Sequence, residues 1–308
     1  MNPLVSVVVV SYNTKDLTIQ GLKALRAVTS VPTEIIVVDN ASQDGSADAI
    51  QASLPDVTVL RLLTNIGFAN AVNTGAGHAT GRYVLLVNPD TEPVGDVVAA
   101  LVDHAQRYPR NRIYTGRTLR ADGSDDGMSA HALPSLWGYV CFATALSTVF
   151  KGWRFTNPDA LPGFDRSAGG EVPAVSGCLL LIDRPLWTEL GGFTPDYFMY
   201  SEDIDLAARA QALGARPVVV PTAKLTHVGG AASSSINKRV MVLRGKTTYV
   251  RLRWSRQAAF AARALLATGV LLRAAGSGTW RQVWAQRKTW LAGWPAPAPA
   301  DLPASTRS

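Results

Sequence analysis

The sequence predicts an α/β fold built on a mostly parallel sheet flanked by helices, followed by a basic helical extension. Apolar runs of strand length alternate with amphipathic stretches through about the first hundred residues, which reads as βαβ units. The runs are near-continuous Val, Ile and Leu, as in strands covered on both faces. Charge then changes sign along the chain: of the net +7, the residues from Ile236 to Ser308 carry thirteen Lys and Arg against one acid, Asp301. That stretch is +12 and the first 235 residues are −5.

Val5–Val10 is the first predicted strand, β-branched throughout. Lys15–Val28 follows, with Leu17, Leu22, Leu25 and Val28 at helical spacing. Strands at Glu34–Val38, Val57–Leu63 and Tyr83–Val87 alternate with helical stretches at Asp44–Ser53 and Gly67–Ala79. Asp96–Arg107 is a further helix. From about Asp122 to Gly170 periodicity is weak, which predicts an irregular functional insertion or loop. Regular structure returns at Ala174–Ile182, in the helix Pro185–Leu190 and in Asp203–Leu213, closed by Gly214 as a helix C-cap. Pro217–Val220 is the last short strand. Gln257–Ala275 is an Ala- and Leu-rich helix, and Pro295–Ser308 reads as disordered.

With 308 residues, 47% hydrophobic and 17% charged, the composition excludes a disordered chain. Cys141 and Cys178 are far apart, which predicts reduced, core-filling thiols rather than a disulfide or thiolate zinc site. The N-terminus has no basic segment before its short apolar run, so the expected location is cytoplasmic.

In an open α/β sheet, ligands bind beyond the carboxyl ends of the strands. The polar residues that end the apolar runs are Ser11, Tyr12 and Asn13, then Asp39 and Asn40, then Asn88 and Asp90. Asn13 and Asn40 read equally well as turn and cap residues. Asp39 and Asp90, directly at strand mouths, favour function.

Ser6–Asn13, Ile36–Gly45, Asn65–Asn73 with Gly75 and Gly81, and Asn88–Asp90 together resemble family 2 glycosyltransferases of the GT-A fold, over about residues 4–230. The resemblance implies that Ser11, Tyr12, Asn13 and Asp39 hold the base and ribose of a nucleotide-diphosphate sugar donor. Asn65 and Asn88 join them as donor-binding candidates, although Asn65–Asn73 also reads as a turn and closely packed helix. It implies further that Asn88–Asp90, at the family's "DXD" position, binds Mg²⁺ or Mn²⁺. Asn88 departs from the usual aspartate there, so Asp90 brings the full charge. The Asn-Pro-Asp version resembles bacterial rhamnosyltransferases of cell-envelope glycan synthesis and points to deoxythymidine-diphosphate rhamnose. UDP-galactofuranose or a UDP-hexose is the alternative donor.

Glu202, Asp203 and Asp205 put three carboxylates in four positions at a helix start. An acidic first turn needs fewer to complement the helix dipole. An acceptor hydroxyl must lose a proton as it attacks the anomeric carbon, so a carboxylate has to lie within reach. Matched to the family's "ED" motif, Asp203 is the base of an inverting reaction, Glu202 its support or rival, and Asp205 an anchor. His227 reads as structural from spacing alone and as a metal ligand by resemblance. Gly229, Gly230 and Ser233–Ser235 suggest a loop closing over the donor. Trp153, Trp187, Phe198 and Tyr200 read as sugar-stacking or core residues.

The expected organisation is a catalytic domain over 1–235, with a donor half to 120 and an acceptor half from 121. A basic, membrane-associating helical extension spans 236–294 and a tail 295–308. Arg251, Arg253, Arg256, Arg263 and Arg273 flank the apolar 258–272 segment. This suggests either an interfacial helix meeting an anionic membrane and a lipid-linked or glycan acceptor, or an ordinary packed helix. The expected site of action is thus peripheral, at the inner face of the plasma membrane. A nucleotidyltransferase lacks support, since Ser11–Thr14 is not a glycine-rich basic phosphate loop. Nucleic-acid binding rests on the pI near 9.6 alone, with no recognition motif.

Overall fold

The computed structural model describes residues 2–227 and 236–296. The loop expected at Gly229–Ser235 and the tail from residue 297 lie outside the described residues.

The elements run β1 (Val5–Ser11), α1 (Lys15–Val28), β2 (Thr33–Asp39), α2 (Ser46–Ser53), β3 (Thr58–Arg61), α3 (Phe68–Ala76) and β4 (Tyr83–Val87). Next come β5 (Thr91–Pro93), α4 (Val97–Arg107), β6 (Ile113–Leu119), β7 (Ala130–His131), α5 (Leu136–Ala143) and α6 (Leu146–Val149). Short strands β8 (Gly170–Glu171) and β9 (Ala174–Val175) lead into β10 (Leu179–Asp183), α7 (Arg184–Leu190), α8 (Glu202–Ala212) and β11 (Val218–His227). Four helices close the chain: α9 (Ile236–Arg253), α10 (Arg256–Gly276), α11 (Gly278–Ala285) and α12 (Arg287–Ala292).

The nine-stranded sheet has the order β3-β2-β1-β4-β10-β6-β11-β5, with β8 paired to β11. Strands β1, β2, β3, β4, β6 and β11 point one way, and β10, β5 and β8 run against them. Every residue of β1 is buried. Val5, Val7 and Val9 enter one core and Val8 and Val10 the other, as the two-residue period of a strand covered on both faces requires.

Register decides what meets at the sheet's edge. Ser11 pairs with Asp39, so the ends of β1 and β2 lie side by side. Antiparallel β10 starts beside the end of β4, with Leu179 opposite Val87. His227 lies opposite Thr91, one residue past Asp90.

The main departures from the sequence reading have physical causes. Ala174–Ile182 is broken into β9 and β10 around residues 176–178, which turn at the site. The last strand, expected at Pro217–Val220, continues to His227. Its register shifts between Val219 and Lys224 around Pro221, which cannot donate to a ladder. Strand β6 went unread because Gly116 and Arg117 interrupt its apolar pattern. The 122–170 region holds α5, whose sequence LWGYVCFA has no polar face and so no amphipathic period. Its start is capped by the Ser135 hydroxyl, which accepts from the Gly138 N–H at 3.1 Å.

The C-terminal helices form their own layer against α5. Tyr139, Leu243, Val250, Leu266, Val283 and Trp290 are its core. Helix α10 is long and apolar enough to cross a membrane by length and composition. One stripe of it, including Ala262, Leu266, Gly269 and Val270, is buried within this layer.

Where β11 bulges, backbone passes close to β6. A Cβ on Gly116 would meet the Ala223 carbonyl oxygen at 2.4 Å and Leu179 at 2.8 Å. Gly116→Val therefore destabilises the protein by about 1–3 kcal/mol, the usual cost of overpacking, read as a lower midpoint in urea with an unchanged slope.

Candidate active site

The ends of β1, β2 and β4 form one wall. Asp39 is buried; its Oδ2 accepts from the Ser42 N–H at 3.2 Å, while Oδ1 is buried without a partner. A buried carboxylate oxygen with no donor calls for one, and a ribose hydroxyl fits. Asn13 has φ 54° and ties the β1 loop to the β2 loop: it donates to Ser42 Oγ from its backbone and accepts from the Gln43 N–H at 2.8 Å. Tyr12 is 48% exposed beside it. The Ser11 hydroxyl is fully buried and engaged with Thr14 and Thr18 at the start of α1, so its side chain faces inward.

Asn65 and Asn40 hold the next loop. Asn40 donates to Asn65 Oδ1 at 3.0 Å, and that oxygen also accepts from the Gly67 N–H. Gly67, at φ 83°, lies so close to Phe198 that a Cβ would meet its carbonyl oxygen at 2.4 Å. The Phe68 N–H donates to that carbonyl, Asn70 donates to the Pro195 carbonyl, and Asn73 exchanges hydrogen bonds with Phe193 in both directions. The Asn65–Asn73 motif thus fastens the donor wall to the 193–198 loop.

That loop leads to the opposite wall. Asp203 Oδ2 accepts from the Gly177 N–H at 3.0 Å and Oδ1 from the Ile204 N–H at 2.8 Å. The next residue, Cys178, accepts at its carbonyl from the Asn88 N–H at 3.0 Å. Two consecutive residues therefore hold the Asp203 carboxylate on one side and the Asn88–Asp90 turn on the other. Glu202 is buried with Oε2 unpartnered; burial first, and the Asp203 charge second, push its carboxyl well above the usual range. Asp203, by contrast, is only half-buried and is held by the Gly177 N–H.

Asp205 is the anchor. It is fully buried and accepts from Thr194 Oγ1 at 2.7 Å, Arg209 Nε at 2.8 Å and Arg253 Nη2 at 3.0 Å. Burial alone would push it up, but Arg253, Thr194 and Arg209 outweigh burial and hold it below the usual carboxylate range. Arg253 comes from α9. The same helix brings Gly245 against the left-handed pair Tyr200 and Ser201, where a Cβ would meet the Tyr200 carbonyl oxygen at 2.3 Å. Trp294 closes the clamp, donating from Nε1 to the Met199 carbonyl at 3.0 Å and packing on Phe198.

Among the described residues, neither the Asp90 carboxylate nor the Asn88 side-chain amide has a hydrogen-bond or ion-pair partner. His227 sits near Asp90 with Nδ1 on Asp126 Oδ2 at 2.9 Å and Nε2 facing Cys178 Sγ at 3.0 Å. The Asp126 hydrogen bond pushes His227 up against its burial, and the Asp90 charge adds to this. Among the described residues no three His, Cys, Asp or Glu side chains gather as a metal site. Hard divalent cations are commonly held by one or two carboxylates with substrate phosphates and water completing the shell. Asp90, with the Asn88 amide and His227 beside it, fits that partial donor set.

Sequence reading missed several of these residues. Cys178 is a free, buried thiol as expected, but it also lies within the field of Asp90, Asp126 and Asp203, and burial followed by those charges raises its thiol. Asp126 lies in the weakly patterned region, and its link to His227 spans 101 residues, so no local spacing announces it. Trp187 and Phe198 are packing residues, in contact with Phe193 and Trp294 respectively.

The family model described as Glycosyl transferase family 2 matches residues 6–173. An N-acetylglucosaminyl-diphospho-decaprenol L-rhamnosyltransferase of Mycobacterium tuberculosis is 28% identical over 270 residues, 82% of this chain and 85% of the relative. A putative teichuronic acid biosynthesis glycosyltransferase of Bacillus subtilis, TuaG, is 30% identical over 138 residues, 44% of this chain and 55% of that protein. Among solved structures, the mannosyltransferase PcManGT from Pyrobaculum calidifontis, in complex with GDP-Man and Mn²⁺, matches with a TM-score of 0.58 and 19% identity, over 95% of this chain and 86% of that one. S. aureus TarS 1–349 in complex with UDP matches with a TM-score of 0.53 and 17% identity, over 89% and 72%.

Asp205→Ala leaves two arginines facing a buried gap. Stability falls by about 3–5 kcal/mol, read by urea denaturation, as when one partner of a buried ion pair is removed.

Proposed function

The chain belongs to glycosyl transferase family 2 and has its GT-A fold, and from this we propose an inverting transfer of L-rhamnose from deoxythymidine-diphosphate rhamnose to a hydroxyl of a lipid-linked acceptor in cell-envelope glycan synthesis. The observation that carries the reading is the pair Gly177 and Cys178, which holds Asp203 and the Asn88–Asp90 turn across one crevice. The rhamnosyltransferase of Mycobacterium tuberculosis, matched over most of both chains, supports the sugar and the lipid-diphosphate acceptor. The +12 C-terminal stretch supports an anionic membrane surface as the place of reaction.

The unpartnered Asp39 oxygen takes a ribose hydroxyl, and the exposed Tyr12 ring offers a face to the base. Asn13 shapes the loop that receives them, and Asn65 keeps the neighbouring turn in place. Asp90, with Asn88 and His227 nearby, would hold a divalent cation, which would supply Lewis-acid charge to a leaving diphosphate. Each Asp203 oxygen accepts one backbone N–H and keeps a lone pair free. The acceptor hydroxyl gives its proton to Asp203 as its oxygen bonds to the anomeric carbon and the bond to the diphosphate breaks. One such displacement inverts the configuration. Burial and the neighbouring Asp203 charge both disfavour a charge on Glu202, which leaves Asp203 the better placed of the two to act as base.

Purified protein with Mg²⁺ or Mn²⁺ and a panel of nucleotide-sugars, with and without a polyprenyl-diphosphate-sugar acceptor, tests this. Turnover of deoxythymidine-diphosphate rhamnose, abolished by EDTA and restored by Mn²⁺, is the expected result. Turnover of UDP-galactofuranose or a UDP-hexose instead overturns the donor, and silence with every donor overturns the reaction. Asp203→Asn lowers transfer by about 10²–10⁴-fold, the usual share of a general base, while the affinity for deoxythymidine diphosphate stays constant.

A further inference from the structure

Between α6 and the turn at Pro158 the chain leaves eight consecutive residues exposed, 148–155. They include Val149 at 69%, Phe150 at 52%, Trp153 at 61% and Phe155 at 58% exposure. Large apolar side chains grouped this way on a surface mark an interaction site. Trp153 packs on Phe155 at 6.1 Å and Phe155 on Trp137 at 4.9 Å, so the rings form one patch. Lys151 and Arg154 are interleaved with them, and no Asp or Glu occurs from Met128 to Asn157.

The loop is braced from behind. The Thr156 hydroxyl donates to the Phe150 carbonyl at 2.8 Å, Trp137 Nε1 donates to the Phe155 carbonyl at 2.7 Å, and Asn157 donates to the Lys151 carbonyl at 3.0 Å. Backbone carbonyls are thus satisfied internally while the rings face out. Arg273 of α10 donates to Thr148 Oγ1 at 2.7 Å, which sets exposed Leu271 and Leu272 near the start of the loop.

We propose that the 148–155 loop is the membrane-contacting element of this protein, seating Phe150, Trp153 and Phe155 among the headgroups of an anionic bilayer. Aromatic rings favour the membrane–water interface, and Lys151 and Arg154 complement anionic headgroups. Helix α10 buries a stripe of mostly small residues in the C-terminal layer and leaves Phe260, Leu271 and Leu272 exposed. The 148–155 loop differs in presenting three exposed aromatic rings interleaved with cations. The inference deepens the reading of a lipid-carried acceptor and rests on it: a protein docked through this loop holds its crevice beside the carrier. Asp126 and His131, which flank the start of the same region, lie at the site, Asp126 on His227 and His131 within the field of Asp203.

The test is flotation of the full chain with vesicles of phosphatidylcholine, with and without phosphatidylglycerol. The wild type floats with the anionic vesicles. The variant Phe150→Ser/Trp153→Ser/Phe155→Ser loses at least about tenfold in partition constant, equivalent to about 1.4 kcal/mol. Lys151→Glu/Arg154→Glu loses binding to anionic vesicles selectively. Melting temperature and hydrolysis of the soluble donor remain at wild-type level in both variants. That separates this inference from the catalytic one, because a failed donor assay with intact vesicle binding strikes only the reaction. Undiminished flotation of the triple variant overturns the proposal. So does loss of flotation only on Phe260→Ser/Leu272→Ser in α10. A wild type that ignores every vesicle and self-associates through the loop in sedimentation velocity overturns it as well.

Discussion

A carboxylate at 0% exposure stays ionised only among cations and donors, and Asp205 has both. Its partners come from three parts of the chain: Thr194 in the loop before α8, Arg209 within α8, and Arg253 at the end of α9. Arg209 also reaches the carbonyls of Leu190 and Gly192, which fixes the start of the same loop. Everything between 190 and 205 is thereby pinned at its two ends. The backbone between them can then hold two adjacent left-handed residues, Tyr200 and Ser201, a conformation that β-carbon sterics disfavour. The strain has a use: it turns the chain so that α8 begins with Asp203 facing Gly177.

The C-terminal helices therefore help to fix the 190–205 segment and the start of α8. Helix α9 supplies Arg253 and the close approach of Gly245, and the chain after α12 supplies Trp294. On the other side, α3 holds the same loop through Asn70 and Asn73. The loop that leads to Asp203 is thus held between α3 and the C-terminal layer. The sheet supplies the complementary constraint, since parallel register brings Ser11, Asp39 and Asn88 to one edge and antiparallel β10 delivers Gly177 and Cys178 to that same edge.

The parallel half of the fold was legible because its strands are continuous β-branched runs and its helices have polar faces. Asp39, Asp90 and the acidic start of α8 were legible because each ends or begins such an element. Asp205 was readable as an anchor from its place two residues beyond the base in the matched "ED" motif. What stayed hidden depends on pairing across long sequence separations. Arg253 looked like one cation in a basic tail, yet its partner lies 48 residues earlier. Nothing local shows that the Asn65 side chain is tied to Asn40 and Gly67, or that the Ser11 hydroxyl is engaged with Thr14 and Thr18. Cys178 looked like filler because nothing local shows that it stands between three carboxylates. Helix α5 was invisible because its eight residues, LWGYVCFA, are apolar all round and give no period to read.

The most direct measurement is a crystal structure of the protein soaked with deoxythymidine diphosphate and Mn²⁺, with the cation located by its anomalous scattering. The account predicts the ribose on Asp39, the manganese peak beside Asp90 and next to the diphosphate, and Asp203 open to the crevice across from it. A nucleotide bound away from the ends of β1 and β2, or a manganese peak remote from Asp90, would contradict it.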